Sequence, residues 1–61
     1  MATFKVTLTA VDKSGALATE VIKAYRINEF KGSLSFLESS GEICAVYNEG
    51  HWMRVNRLSE N

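Results

Sequence analysis

Apolar and polar residues alternate strictly near the start of the chain. Over residues 3–11, Phe4, Val6 and Leu8 fall on one face, whereas Lys5 and Thr7 fall on the other. Alternation with a period of two, in residues that favour extended backbone, is typical of a strand with one face buried. The sequence therefore predicts a first strand over 3–11, followed by a turn at 12–15 that contains Gly15.

The next stretch, ALATEVIKAYRI at 16–27, fits two structures. Leu17, Val21 and Tyr25 recur every four residues, which suits a helix with Ser14 as its cap. The same stretch is rich in β-branched and aromatic residues, and it follows a turn that suits a hairpin. We favour a second strand over 17–26.

A helical spacing follows this second strand. Asn28 is a suitable N-cap, and Phe30, Leu34 and Leu37 follow at i, i+4 and i+7. Gly41 suits the left-handed position just beyond a helix end. We therefore predict a short helix between 28 and 41, although the glycine and serines inside it lower its intrinsic helix propensity.

The last third of the chain predicts a closing hairpin. Strands over 42–47 and 52–57 flank the turn Asn48-Glu49-Gly50-His51. The predicted fold class is α+β, a single ββαββ domain over 1–61, with one short helix on one face of an antiparallel sheet. The rival order is βαβββ, with one longer helix over 15–30 and a strand over 33–38. The predicted core consists of Phe4, Val6, Leu8, Ile22, Ala24, Phe30, Leu34, Leu37, Met53 and Val55.

Composition limits how such a chain is stabilised and where it works. Sixty-one residues make one domain, and Cys44 is the only cysteine, which excludes an internal disulfide and favours a reducing compartment. Seven cations balance seven anions, so the global charge indicates neither a nucleic-acid-binding protein nor an acidic mimic of nucleic acid. No apolar run approaches the roughly 20 residues that span a bilayer, so we expect a soluble, intracellular protein without a membrane partner.

The sequence carries no pattern of residues that predicts catalysis. Cys44 and His51 stand alone, we expect the first to be buried in a strand and the second exposed in a turn, and a structural zinc site needs about four ligands. Phosphate-binding glycine loops, nucleophile elbows and metalloprotease motifs are all missing from the sequence. We therefore expect a protein that is not an enzyme and uses no cofactor or metal.

The polar face of the predicted sheet is the candidate binding surface. Alternation places Lys5, Lys23, Tyr25, Trp52 and Arg54 together on the face that points away from the helix. Trp, Tyr and Arg are enriched in interface hot spots, and the same residue types stack on bases and hold phosphates. The alternative for Trp52 is a place in the core, because a slip of one residue in the register of its strand reverses every assignment.

Two segments prompt a comparison with a known family. The string IKAYRINEFK at 22–31 resembles a strand-to-helix junction of small phage-encoded anti-CRISPR proteins, and EICAVYNEGHWMRV at 42–55 resembles the closing hairpin of a type I inhibitor of that kind. The resemblance implies a phage or mobile-element inhibitor in the cytoplasm of a bacterial host, bound to a host nucleoprotein complex. Within the matching helix it implies a contact only for Lys31.

Three function hypotheses follow from the sequence. The first is a protein-binding inhibitor of a host complex that uses the candidate surface. The second is a small nucleic-acid-binding protein that uses the same surface. The third is a structural homodimer with Trp52 in the subunit interface.

Overall fold

The alternating stretch at the start of the chain forms the strand that organises the molecule. The computed structural model describes residues 1–59, and β1 runs through Ala2–Val11 at its centre. Both edges of β1 carry an antiparallel partner, β2 on one side and β6 on the other. These three strands form sheet I. The strands in chain order are β1 Ala2–Val11, β2 Leu17–Ala24, β3 Arg26–Phe30, β4 Ser33–Leu37, β5 Ile43–Tyr47 and β6 Trp52–Ser59.

The middle of the chain forms a second antiparallel sheet. Strands β3, β4 and β5 follow one another in sequence and lie side by side in that order as sheet II. Tyr25 alone separates β2 from β3, and its backbone N–H donates to the carbonyl of Leu37 (2.8 Å). The chain therefore passes from sheet I to sheet II at a one-residue corner.

The predicted α+β class is wrong, because residues 1–59 contain strands and no helix. The segment predicted as a helix is the β3–β4 hairpin, in which Phe30 pairs with Ser33 across a two-residue loop. Lys31 and Gly32 occupy that loop with φ angles of 52° and 88°. Positive φ at both central residues matches the twist of a tight hairpin and stops any helix. The longer helix of the rival order is also wrong, whereas its strand over 33–38 matches β4.

The predicted closing hairpin is wrong as well. The two strands exist, but β5 pairs with β4 and β6 pairs with β1, so the turn at 48–51 connects the two sheets. Thr9 ties this turn to β1, since its hydroxyl donates to the Gly50 carbonyl (3.0 Å) and its N–H to the His51 carbonyl (3.2 Å). The central strand β1 has two edges to pair, and β6 fills the one that β2 leaves open.

The core lies between the two sheets and is small. Phe36 is 0% exposed, and its ring packs edge-to-face against Phe4 (centroids 5.6 Å apart) and against Tyr47 (5.9 Å). Such pairs contribute about 0.5–1.5 kcal/mol beyond area burial. Leu34 shares the inner face of β4 with Phe36, as the alternation of a strand requires. The buried hydrophobic residues are Ala2, Phe4, Val6, Ala24, Leu34 and Phe36.

The predicted core is confirmed in part. Leu8, Ile22 and Val55 pack against the buried cluster as expected. Phe30 and Met53 are exposed instead, by 68% and 58%. The remaining predicted core residues that are buried are Phe4, Val6, Ala24 and Leu34, and Leu37 is half-buried. The sequence prediction missed Phe36, since that residue falls off the stripe of the assumed helix.

Two further expectations concern the ends and the surroundings of the chain. We expected a frayed tail over 59–61, but Ser59 ends β6, and 60 and 61 lie outside the described residues. No helix in the described part of the chain is long and apolar enough to cross a membrane.

Candidate functional site

The outward side of sheet I is a surface whose members follow from the register of its three strands. Lys5 on β1 lies directly opposite Val21 on one neighbour and Asn56 on the other. Directly paired residues point to the same side of a sheet, and Phe4 and Val6 point inward, so Lys5 and its partners point outward. We call this surface the outer face. Its members are Thr3, Lys5, Thr7, Val11, Leu17, Thr19, Val21, Lys23, Arg54, Asn56 and Ser59.

Three cations cross the outer face along one diagonal. Lys23 pairs with Thr3, two residues before Lys5, and Arg54 pairs with Thr7, two residues after it. Diagonal neighbours in a sheet lie about 7–8 Å apart, so Lys23, Lys5 and Arg54 form a row of roughly even steps. Within residues 1–59, no Asp or Glu belongs to this face, because Glu20 pairs with the inward-pointing Val6. The outer-face positions predicted for these three cations are confirmed.

Trp52 does not lie on the outer face, and that prediction is wrong. Leu8 pairs with Trp52 and Thr7 with Arg54, so β6 carries one extra residue, Met53, at this point. Such a bulge shifts the alternation by one residue, which turns the Trp52 ring toward the core. The indole Nε1–H donates to the carbonyl of Gly32 in the β3–β4 loop (2.8 Å), and Trp52 is half-buried. The side chain therefore joins the two sheets.

Tyr25 lies at the corner between the sheets rather than on the outer face. Its side chain is 59% exposed and lines the rim of a cleft of about 440 Å³. The cleft runs between the chain corner and the C-terminal half of β6, on the core side of sheet I. Its lining residues are Phe4, Tyr25, Arg26, Ile27, Val55 and Arg57. The sequence analysis missed this cleft, because no local pattern shows that 25–27 and 55–57 meet.

Lys31 is also displaced from its predicted setting. It lies in the β3–β4 loop of sheet II and not on a helix, and its ammonium sits over the Phe30 ring, 5.4 Å from the centroid. Lys31 therefore does not extend the row of cations on sheet I.

The two sheets carry opposite charge. Sheet I with its turn and the corner, residues 1–25 and 52–59, holds five cations: Lys5, Lys13, Lys23, Arg54 and Arg57. Its anions are Asp12 and Glu20. Residues 26–51 hold Arg26 and Lys31 against the anions Glu29, Glu38, Glu42 and Glu49. The neutral total charge thus conceals a positive sheet and a negative one.

Hydrogen bonds occupy the two anions of sheet I. The carboxylate of Glu20 accepts a hydrogen bond from the Tyr47 hydroxyl across the sheets. Partial burial of Tyr47, and to a smaller extent this hydrogen bond, raise the pKa of Tyr47 to about 12. Asp12 accepts from the Ser14 hydroxyl (2.6 Å) and from the Ser14 N–H (2.8 Å), which lowers the pKa of the Asp12 carboxyl. Both anions therefore act within the fold, away from the outer face.

The isolated Cys44 and His51 stay isolated in the structure. Cys44 is exposed, against the expectation of burial, and its thiol donates to the Phe36 carbonyl (3.3 Å). His51 is exposed in the turn, as expected. Among residues 1–59, no three His, Cys, Asp or Glu side chains come together in a way that could hold a metal ion.

Comparison of the chain with family models, with curated proteins and with solved structures gives no match. The features that carried the resemblance to anti-CRISPR proteins were a strand-to-helix junction and a closing hairpin. Neither is present in residues 1–59.

Proposed function

We propose that the protein is a non-enzymatic binding module whose outer face contacts the phosphate backbone of a nucleic acid. The observation that carries the proposal is the diagonal row of Lys23, Lys5 and Arg54 on a face to which no described anion belongs. Phosphate contacts supply most of the affinity in sequence-independent nucleic-acid binding.

The rest of the outer face has the composition that such contacts use. Hydroxyl and amide side chains, together with Lys and Arg, make most protein hydrogen bonds to phosphate oxygens. Around the cations this face presents three accessible hydroxyl side chains and one amide, from Thr3, Thr19, Ser59 and Asn56, whereas Thr7 on the same face is buried.

A protein partner fits this face less well. Cores of protein interfaces are enriched in aromatic residues and depleted of lysine. Trp52 is turned to the core and Tyr25 lies at the corner, so the described residues place no aromatic side chain on this face. Its exposed apolar side chains are Val11, Leu17 and Val21, and Met53 lies beside Thr7 and Arg54. Inhibition of a host complex and formation of a structural homodimer are therefore the alternatives that the binding test below can favour.

The test compares two pairs of lysines that differ only in position. The face variant Lys5→Gln, Lys23→Gln and the control variant Lys13→Gln, Lys31→Gln remove the same charge from exposed sites. We measure binding of a labelled oligonucleotide by fluorescence anisotropy over a range of salt concentrations. We expect the face variant to bind about three- to tenfold more weakly, with a salt slope shallower by about 1.4–1.8 on logarithmic axes. The control variant should bind like the wild type.

Two results would overturn the proposal. Equal losses in both variants would mean that net charge and not the outer face governs binding. Wild-type protein that binds no oligonucleotide, but is retained on a host protein complex or forms a dimer in solution, would favour one of the other two functions.

A further inference from the structure

We infer that the nucleic acid bound is single-stranded and that one of its bases stacks on Tyr25 at the mouth of the cleft. This inference rests on the proposed function and assigns its substrate class. Its first support is the direction in which the row of Arg54, Lys5 and Lys23 crosses sheet I.

The row leads to the corner between the sheets. Lys23 is its last cation, and Tyr25 follows two residues later along the same chain. Two residues of extended backbone span about 6.6 Å, which is comparable to the steps between the cations themselves. A nucleic-acid strand whose phosphates follow Arg54, Lys5 and Lys23 therefore reaches the end of sheet I beside Tyr25. It must turn around that end to meet the cleft, because Phe4, Val55 and Arg57 line the cleft from the core side of the sheet.

The corner offers what an unpaired base needs. Tyr25 is 59% exposed, and the cleft that it lines is also lined by the apolar Phe4 and Val55 and by Arg26 and Arg57. Its volume of about 440 Å³ lies within the range of small-ligand sites. Aromatic rings and guanidinium planes are the groups on which proteins stack exposed bases.

A double helix would not use this arrangement. The bases of a duplex are stacked on one another inside the helix, so the aromatic ring at the corner would gain no base contact. The outer face, in contrast, reaches phosphates of either form. The prediction is therefore a preference for the single strand that depends on Tyr25.

The experiment combines a change of the Tyr25 side chain with the removal of bases from the oligonucleotide. Wild type, Tyr25→Ala and Tyr25→Phe are each titrated with a labelled oligonucleotide of about eight nucleotides, within the site sizes of single-strand binders. The probes are the intact strand, the same strand with base-free positions at its centre, and the strand annealed to its complement. Thermal unfolding of each variant checks that it is folded.

We expect Tyr25→Ala to weaken binding of the intact strand by about 5- to 100-fold, the range for one stacked base. Tyr25→Phe should retain binding. The base-free oligonucleotide should bind weakly to the wild type. Its affinity for Tyr25→Ala should be the same, because the stacked base that this change affects is already absent.

The outcomes separate the two proposals. Salt-dependent binding that is unaffected by Tyr25→Ala or by base removal would overturn the stacking inference and leave the outer-face function standing. A duplex bound as tightly as the single strand, or a loss in Tyr25→Phe equal to that in Tyr25→Ala, would also overturn it. No binding of any oligonucleotide by the wild type would overturn both.

Discussion

At the scale of single residues, Lys31 holds a backbone conformation that few side chains adopt without strain. Its φ is 52°, the one positive value among the non-glycine residues described. A side chain in the left-handed region costs about 1–2 kcal/mol, and asparagine tolerates it best. Gly32 shares the loop, and a Cβ there would approach the Glu49 side chain to 2.8 Å. Glycine therefore suits the second position of the loop, whereas the lysine at the first position is strained.

Replacement of Lys31 by asparagine should relieve that strain. We expect Lys31→Asn to raise the free energy of unfolding by about 0.5–1 kcal/mol, because Asn-Gly is a favoured pair in this type of hairpin loop. Urea denaturation measures the change. The control is Lys13→Asn, another exposed turn lysine but one without positive φ. An equal gain in both variants would refute the explanation by backbone strain.

Tyr47 makes a second prediction, which concerns pH. Its hydroxyl is held protonated by partial burial and by the bond to Glu20, so its pKa rises from 10.0 to about 12. The pKa is higher in the folded than in the unfolded chain, so the contribution to stability is complete below pH 10 and is lost as the pH rises toward 12.

A tyrosinate absorbance titration isolates this group. In a Tyr25→Phe background Tyr47 is the only tyrosine, and its midpoint should fall near 12 in the folded chain and near 10 in urea. Circular dichroism recorded alongside shows whether the chain is folded. A folded protein with a midpoint near 10 would refute the contact with Glu20.

At the scale of elements, β6 joins the two sheets through its first residue. Trp52 packs against the core, and its indole N–H binds the Gly32 carbonyl on sheet II. The other contacts between the sheets include those of the small core and the hydrogen bond from the Tyr47 hydroxyl to Glu20. The bulge at Met53 therefore lets β6 contact both sheets. Trp52, before the bulge, faces the core, and Arg54, after it, faces outward.

Removal of the indole N–H should weaken this connection. We expect Trp52→Phe to lower the free energy of unfolding by about 1–2 kcal/mol, because it deletes a hydrogen bond and part of the packed ring. Denaturation in urea measures it. Arg54→Gln on the exposed side of the same strand should stay within about 0.5 kcal/mol of the wild type. A Trp52→Phe variant as stable as Arg54→Gln would contradict the role given to Trp52.

The elements also show what the sequence could and could not predict. The period of two identified β1 and placed Lys5, Lys23 and Arg54 correctly, because these positions depend on local alternation. Phe30, Leu34 and Leu37 fit a helical period equally well, and the decisive signal was the Lys31-Gly32 pair between two short extended runs. Neither the bulge that turns Trp52 inward nor the cleft could be predicted, since both depend on pairing between distant strands.

At the scale of the whole molecule, a neutral chain is folded into two sheets of opposite charge. The excess of cations lies on sheet I and the excess of anions on the segments of sheet II. A polyanion that approaches such a molecule is attracted to one side and repelled by the other, which orients it before contact. The outer face and Tyr25 both belong to the segments with the excess of cations, so a nucleic-acid strand that turns around the end of sheet I reaches both.

Mapping where an oligonucleotide binds tests directly whether the outer face is the binding surface. Amide chemical shifts recorded during titration with a single-stranded oligonucleotide report the contact residue by residue. We expect shifts that concentrate on the three strands of sheet I around Lys5, Lys23 and Arg54, and that continue through Tyr25. Shifts concentrated on sheet II, or none at oligonucleotide concentrations of about 10⁻⁴ M, would contradict the assignment of the outer face as the binding surface.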